Sequence, residues 1–282
     1  MRRIDAHTHL FAPAQIAGRD QLAAHDRTFA EMYGDTAAKM SAAPGLLSAL
    51  DRAGLDAAVA AGFAFASEPA IEEQNRYLLA SASEAGGRII PLATVNLSLP
   101  GWRGSAEYAL AQGARGIGEL RPHNQGWDPL GTAAHDLCDL AAGLAAPLLW
   151  HVSEPVGHDY PGKRGGITPE ELWRLASAHP QTVMIAAHFG GGLPFYLQMP
   201  EVRTALSMTY FDTSAASLLY DDASVVRLVD LAGPARVLFG SDYPLLSPLR
   251  QLQRITALLP GDIAQAVCGG NADTLFSDRP DT

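Results

Sequence analysis

Two histidines one residue apart, His7 and His9 in the run Asp5-Ala6-His7-Thr8-His9, stand near the start of the 282-residue chain. The run reads as a first strand. Side chains alternate faces along a strand, so both imidazoles project to one side while Thr8 points away. Two imidazoles on one rigid face are expensive to bury unless something binds them, and a divalent metal is the usual binder. Four later segments add residues of the same kind. Glu119 lies in Gly116-Ile117-Gly118-Glu119-Leu120, and His151 follows Pro147-Leu148-Leu149-Trp150. His188 follows Met184-Ile185-Ala186-Ala187, and Asp242 follows Val237-Leu238-Phe239-Gly240-Ser241. Taken singly, each has an ordinary alternative: His151 or His188 as a hydrogen-bonded core histidine, Asp242 as a helix N-cap, Glu119 as a partner of Arg121 or Arg164. Their shared position at the ends of strand-like runs favours one explanation for all six, a metal centre.

The elements that must position them follow from the apolar runs. Candidate strands are Arg3–His9, Asp56–Gly62, Ile89–Asn96, Arg115–Arg121, Pro147–Ser153, Thr182–His188, Thr209–Thr213 and Arg236–Asp242. Helix-like patterning covers Gly45–Ala53, Ile71–Ala85, Gly104–Ala111, Thr132–Leu144, Pro169–Ala178, Ala223–Leu231 and Leu249–Leu259, and His188–Ser207 reads as loop-rich. Alternating β and α with continuously apolar strands predicts a parallel sheet covered by helices, and eight such units predict an α/β fold of the closed (β/α)8 TIM-barrel type. A doubly wound sheet would want a Gly-rich turn after the first strand, and Leu10–Pro13 offers none. In a barrel the six residues converge on the C-terminal mouth, where such folds keep their active sites.

No domain boundary stands out, so residues 1–282 read as a single domain. Two connections are long: 11–44, with Phe29, Met32, Tyr33 and Met40, and 154–168, with four glycines and two prolines. Both are expected to act as lid and binding loops. The segment Ile263–Phe276 reads as a packing helix or cap.

Composition narrows the function. The chain is 48% hydrophobic, with a net charge of -10, a pI near 5.3 and a mean hydropathy of +0.03. That charge argues against a general nucleic-acid or anionic-membrane binder and for a small-molecule substrate. Cys138 and Cys268 are too few and too far apart for a disulfide framework or thiolate site, and Cys138 is expected to be a buried hydrophobe. No apolar leader or membrane-spanning run is visible, which predicts a cytoplasmic protein. Lysine is scarce: only Lys39 and Lys163 accompany 18 arginines.

The pattern resembles the amidohydrolase superfamily, and within it the amidohydrolase-related branch that includes aminocarboxymuconate-semialdehyde and resorcylate decarboxylases and pyrone-dicarboxylate lactonases. The resemblance spans the chain. It rests on Ile4-Asp5-Ala6-His7-Thr8-His9, Trp150-His151-Val152-Ser153-Glu154-Pro155, Ala187-His188-Phe189-Gly190-Gly191, Phe239-Gly240-Ser241-Asp242-Tyr243-Pro244 and Gly270-Asn271-Ala272. It implies that His7, His9, His151 and Asp242 ligate a divalent metal, most often zinc. It also implies that His188 either assists catalysis or ligates a second metal. Binuclear members commonly place a carbamylated lysine on strand four. Neither lysine here lies on a strand, but Glu119 could bridge two ions, so one metal or two stay open, with one favoured.

A zinc ion lowers the pKa of its water from about 15.7 to about 7. Asp242 would then act as general base and acid and His188 would stabilise an oxyanion, which predicts hydrolysis of an amide, lactone or ester. The alternative is non-oxidative decarboxylation of a small unsaturated or aromatic carboxylate in the same cage. Lys163 or Arg164, with Arg121, is expected to clamp a substrate carboxylate. Glu154 would orient a loop or touch substrate. Asp212 and Thr213 would support the site through hydrogen bonds, and Phe29, Met32, Tyr33 and Trp127 could roof an apolar pocket. Asn271 would cap the last helix, and His25, His123, His135, His158 and His179 read as surface, loop or helix-face residues. Barrels of this branch are often dimers, so a homodimer is an open expectation.

Overall fold

In a computed structural model, which describes residues 2–277, the eight apolar runs form eight parallel strands. These are β1 (Ile4–His9), β2 (Ala57–Ala61), β3 (Ile89–Pro91), β4 (Ile117–Leu120), β5 (Leu148–Trp150), β6 (Met184–Ala186), β7 (Thr209–Asp212) and β8 (Val237–Leu238). They pair in the orders β1-β2-β3 and β4-β5-β6-β7-β8. Two single bridges close the ring, Ala93 with Ile117 and Thr8 with Tyr243. The seam between β1 and the chain around β8 is reinforced by backbone bonds: Ala6 N–H donates to Phe239 O (2.7 Å), His9 N–H to Tyr243 O (2.7 Å) and Asp242 N–H to His7 O (3.0 Å). The result is the (β/α)8 barrel that the alternating pattern predicts.

The period-2 alternation sorts the core into two layers. Ile4, Val59, Ile90, Leu149, Ile185 and Leu238 share one buried cluster with Ala272 and Phe276. Residues from strands all round the ring meet in this way only inside the barrel. Ala58, Ala60, Leu148, Trp150, Met184 and Phe211 instead join a larger cluster with helix residues such as Leu46, Leu78 and Leu175. The covering helices are Ala43–Ala53, Glu68–Glu84, Trp102–Ala111, Thr132–Gly143, Pro169–Ala178, Ala223–Ala232 and Pro248–Leu258, within a few residues of expectation. Pro169–Ala178 starts where the sequence signals it. Glu171 N–H donates to Thr168 Oγ1 (3.3 Å) and Thr168 N–H to Glu171 Oε2 (2.9 Å), a reciprocal cap with proline in the first turn. Cys138 is fully buried, as expected.

Two segments differ from expectation. Residues 11–44 hold three short helices, Pro13–Ala17, Arg19–His25 and Arg27–Tyr33. The last is capped by Asp26, which accepts from Thr28 and Phe29 N–H. Phe11, Phe29, Phe63 and Phe65 pack together beneath this segment. The closing segment breaks into Gly261–Gln265, Ala266–Gly270 and Asn271–Phe276. Gly269 is required there because a Cβ would lie 1.9 Å from Arg2 O. Asn271 does not cap the last helix through its side chain. Its Nδ2 donates to Pro234 O and Val237 O, each at 2.7 Å, and fastens that helix to the foot of β8. No helix among the described residues is long and apolar enough to cross a membrane.

Candidate metal centre and active site

β1 delivers His7 and His9 with their Nε2 atoms 3.0 Å apart. Asp212, at the end of β7, fixes the His7 ring through a 2.7 Å contact between Oδ2 and Nδ1, which leaves Nε2 facing the centre. Glu119 on β4 stands in the middle. Its Oε1 lies 3.0 Å from His151 Nδ1, 3.5 Å from His188 Nε2 and 3.6 Å from His7 Nε2. Its Oε2 is 3.8 Å from His9 Nε2. Asp242 Oδ1 lies 3.4 Å from His9 Nε2. The donor atoms form two trios, His7/His9/Asp242 and Glu119/His151/His188, each with its atoms within 4.8 Å of one another. The structure thus gathers all six residues, and it groups His151 with Glu119 and His188 rather than with the β1 pair.

His188 and Asp242 reach the mouth on left-handed backbone, with φ of 56° and 60°. That conformation is costly for residues with a Cβ, and local bonds hold it. His188 N–H donates to Asp212 Oδ1 (3.0 Å) and Asp242 N–H donates to His7 O (3.0 Å). The left-handed turn continues through Phe189, Gly190, Gly191 and Gly192. Sequence reasoning missed Ser214, whose Oγ lies 2.9 Å from His188 Nδ1 and is also bonded to Asp212.

Charge balance in the buried cluster follows from these contacts. Burial alone would raise the Glu119 carboxyl, but the charge and hydrogen bond of His151, with His188 and His7, hold it well below its ordinary range. Burial would likewise raise Asp242, yet its bond to His9 and the charges of His7, His9 and His188 bring it to about 2. Burial works against a charged His7, and Asp212 overcomes it to push the ring up to about 10. His151 Nδ1 and His188 Nε2 lie 3.1 Å apart, so one ring is neutral toward the other. Burial brings His151 down to about 4. Glu119 and Asp242 outweigh burial at His188 and raise it to about 9.

A cavity of about 550 Å3 opens over this cluster, large enough for a small organic molecule. His9, Glu119, His151, His188 and Asp242 lie on its floor side, and Met32, Tyr33, Phe63, Arg121, Tyr160 and Leu218 are among its other lining residues. Phe29 and Trp127 belong to the packing beneath, Phe29 against Phe63 and Trp127 against Trp150. Of the three expected clamp residues, only Arg121 lines this cavity. Lys163 Nζ donates to Val156 O (2.8 Å) and His158 O (2.6 Å), fastening its own loop. Arg164 is exposed and pairs with Asp159 at 3.2 Å. Glu154 orients the same loop by accepting from Tyr160 (2.7 Å) and Tyr220 (3.0 Å) hydroxyls. His158, read as a surface residue, lines the cavity. His123 pairs with Glu171 at 2.9 Å, and His135 lies against His179 at 2.6 Å, away from the centre.

The family model Amidohydro_2, described as amidohydrolase, matches residues 4–277. The chain belongs to this amidohydrolase family. A search of curated proteins gives no match. Among solved structures it is similar to 5-carboxyvanillate decarboxylase from Sphingomonas paucimobilis, at 18% identity, with 98% of each chain covered and a TM-score of 0.74. It is also similar to 2,6-dihydroxybenzoate decarboxylase from Rhizobium, at 15% identity over 98% of each chain with a TM-score of 0.71. A third is 5-carboxyvanillate decarboxylase from Novosphingobium aromaticivorans, solved with manganese and 4-hydroxy-3-methoxy-5-nitrobenzoic acid. Its identity is 17%, over 98% of this chain and 96% of that chain, with a TM-score of 0.73. At these identities the likeness shows the shared barrel.

Proposed function

We propose that this protein is a metal-dependent, non-oxidative decarboxylase of a small aromatic or unsaturated carboxylate. The observation that carries the reading is the end-to-end likeness to 5-carboxyvanillate and 2,6-dihydroxybenzoate decarboxylases in a chain with a buried histidine–carboxylate cluster at its barrel mouth. Hydrolysis, which the residues alone put first, becomes the second reading. It keeps one specific support, which is positional: Asp242 lines the cavity 3.4 Å from His9 Nε2, where its carboxylate could take a proton from water.

The residues fit a divalent ion. Asp212 occupies His7 Nδ1 and Ser214 occupies His188 Nδ1, so both rings turn Nε2 inward, an outer-partner arrangement typical of metal ligands. His7, His9 and Asp242 would hold one ion, and Glu119, His151 and His188 would hold a second. Nitrogen and oxygen donors without sulfur suit zinc or manganese, and manganese accompanies the Novosphingobium decarboxylase. When bound, the ion supplies positive charge that orients the substrate carboxylate or a neighbouring oxygen.

His188 serves as the proton source. Glu119 and Asp242 favour its charged form, and Ser214 Oγ holds its Nδ1. The carbon–carboxylate bond breaks, its electron pair stays on the ring carbon, and that carbon takes the Nε2 proton while carbon dioxide leaves. Met32, Tyr33, Phe63 and Leu218 offer apolar wall to a ring. Segments 11–44 and 154–168 act as lid and binding loops of a single catalytic domain. The test incubates metal-reconstituted protein with hydroxybenzoates, benzene dicarboxylates, lactones and esters and follows carbon dioxide and product mass. Carbon dioxide release supports the proposal. Hydrolysis products without carbon dioxide would replace it with the second reading.

A further inference from the structure

Arg121 lies two residues beyond Glu119 and lines the same cavity, yet it is only 5% exposed. A buried guanidinium is normally paired with an anion. Among the described residues Arg121 has no carboxylate partner. Its Nη1 meets only the thioether of Met32, its Nη2 donates to Gly162 O at 3.1 Å, and its Nε has no acceptor. Nearby acidic and basic groups are engaged elsewhere. Glu31 accepts from Asn124 Nδ2 (2.6 Å) and Gly162 N–H (3.4 Å), and Lys39 Nζ donates to Leu245 O (2.8 Å).

The guanidinium is also closely packed. A Cβ on Gly162 or Gly165 would come within 2.7 or 2.6 Å of Nη2, so glycine at these positions lets the loop approach the guanidinium without displacing it. Met32, on the helix Arg27–Tyr33, touches Nη1 from the other segment. A fixed fork of donors short of acceptors matches the geometry of a carboxylate.

We infer that Arg121 anchors a second anionic group of the substrate, so that the substrate is a dicarboxylate with one carboxylate at the metal centre and the other on Arg121. This inference deepens the decarboxylase reading and rests on it. The test measures equilibrium binding of benzoate and of benzene-1,3- and 1,4-dicarboxylate to the metal-loaded protein, the Arg121→Gln variant and the Arg121→Lys variant. The unaltered protein should bind at least one dicarboxylate about tenfold or more tighter than benzoate. Arg121→Gln should abolish that preference with benzoate affinity unchanged, and Arg121→Lys should restore part of it. Parallel weakening of all ligands in both variants would assign Arg121 a structural role and overturn the inference. So would a preference that is absent from the unaltered protein or survives in Arg121→Gln. Carbon dioxide release is followed separately. Release with equal affinity for mono- and dicarboxylates removes the anchor and keeps the decarboxylase. An intact binding preference with no release from any carboxylate keeps the anchor and removes the decarboxylase.

Discussion

Asp212 touches three parts of the centre at once. Its Oδ2 meets His7 Nδ1, and its Oδ1 accepts from the backbone N–H of His188 and of Ser214, each at 3.0 Å. Removing a carboxylate that orients a ligand typically lowers metal affinity 10–100-fold. Asp212→Ala should therefore show a loss of roughly that size in competition with a chromogenic chelator, and unchanged affinity would mean that His7 is not a ligand. His188 is assigned a different role, the proton donor. His188→Asn should lower kcat by about 100-fold or more while leaving one equivalent of metal bound, as read by elemental analysis. Loss of metal along with activity would make His188 a ligand instead. At this scale the sequence was most legible where chemistry sets residue type, as at His7, His9, Glu119, His151, His188 and Asp242. It was least legible for charged residues near the mouth, because proximity along the chain does not decide direction. Lys163 turns inward to carbonyls of its own loop, Arg164 faces solvent, and Arg121 lies in the wall.

Elements differ in how plainly the sequence marks them. All eight strands show in the sequence as apolar runs, and β1 ends where its run does, but the other seven runs continue past the strand ends. The run Thr182–His188 stops as strand at Ala186, and Arg236–Asp242 stops at Leu238. Past those points the backbone leaves the ladder and becomes left-handed at His188 and Asp242, which is what turns these side chains toward the mouth. Helices in 11–44 leave little mark on the sequence because each is five to seven residues long. A hydrophobic period needs more turns than that to register, and their aromatic anchors Phe63 and Phe65 come from after β2. The turn after β6 offers a graded test. Gly191 has φ +58° and a Cβ there would sit 2.9 Å from Ser153 O, whereas Gly192, at φ +90°, has open space. The left-handed conformation alone costs a residue with a Cβ about 1–2 kcal/mol. Gly192→Ala should lose roughly that much in urea denaturation, and Gly191→Ala should lose more. Equal losses would show that the Ser153 contact yields without cost.

For the molecule as a whole, packing and ligation set two expectations. Burial pushes both Cys138 and Cys268 up to about 12, so neither thiol should react with a disulfide reagent at neutral pH until the protein unfolds. Rapid native labelling would contradict the packing of the helix Thr132–Gly143 or of the closing segment. Metal binding should stabilise the entire barrel, since an ion held only by the folded state shifts unfolding by mass action. At an ion concentration a hundredfold above its dissociation constant, that contributes about 2.7 kcal/mol. Chelation should then lower Tm by roughly 5 °C in a chain of this size, and an unchanged Tm would mean that no ion is held.

The position of one trio gives that stabilisation a direction. His7 and His9 belong to the first strand and Asp242 follows the last, so their donor atoms face one another across the place where the ring is joined end to end. An ion there works as a buckle on a belt, tying chain positions that only a short stretch of backbone bonding otherwise holds together. Its removal should loosen the belt at the buckle first. In hydrogen exchange, the Ala6, His9 and Asp242 amides that bond across this join should speed up well before amides on the far side of the ring, such as Leu148 and Met184.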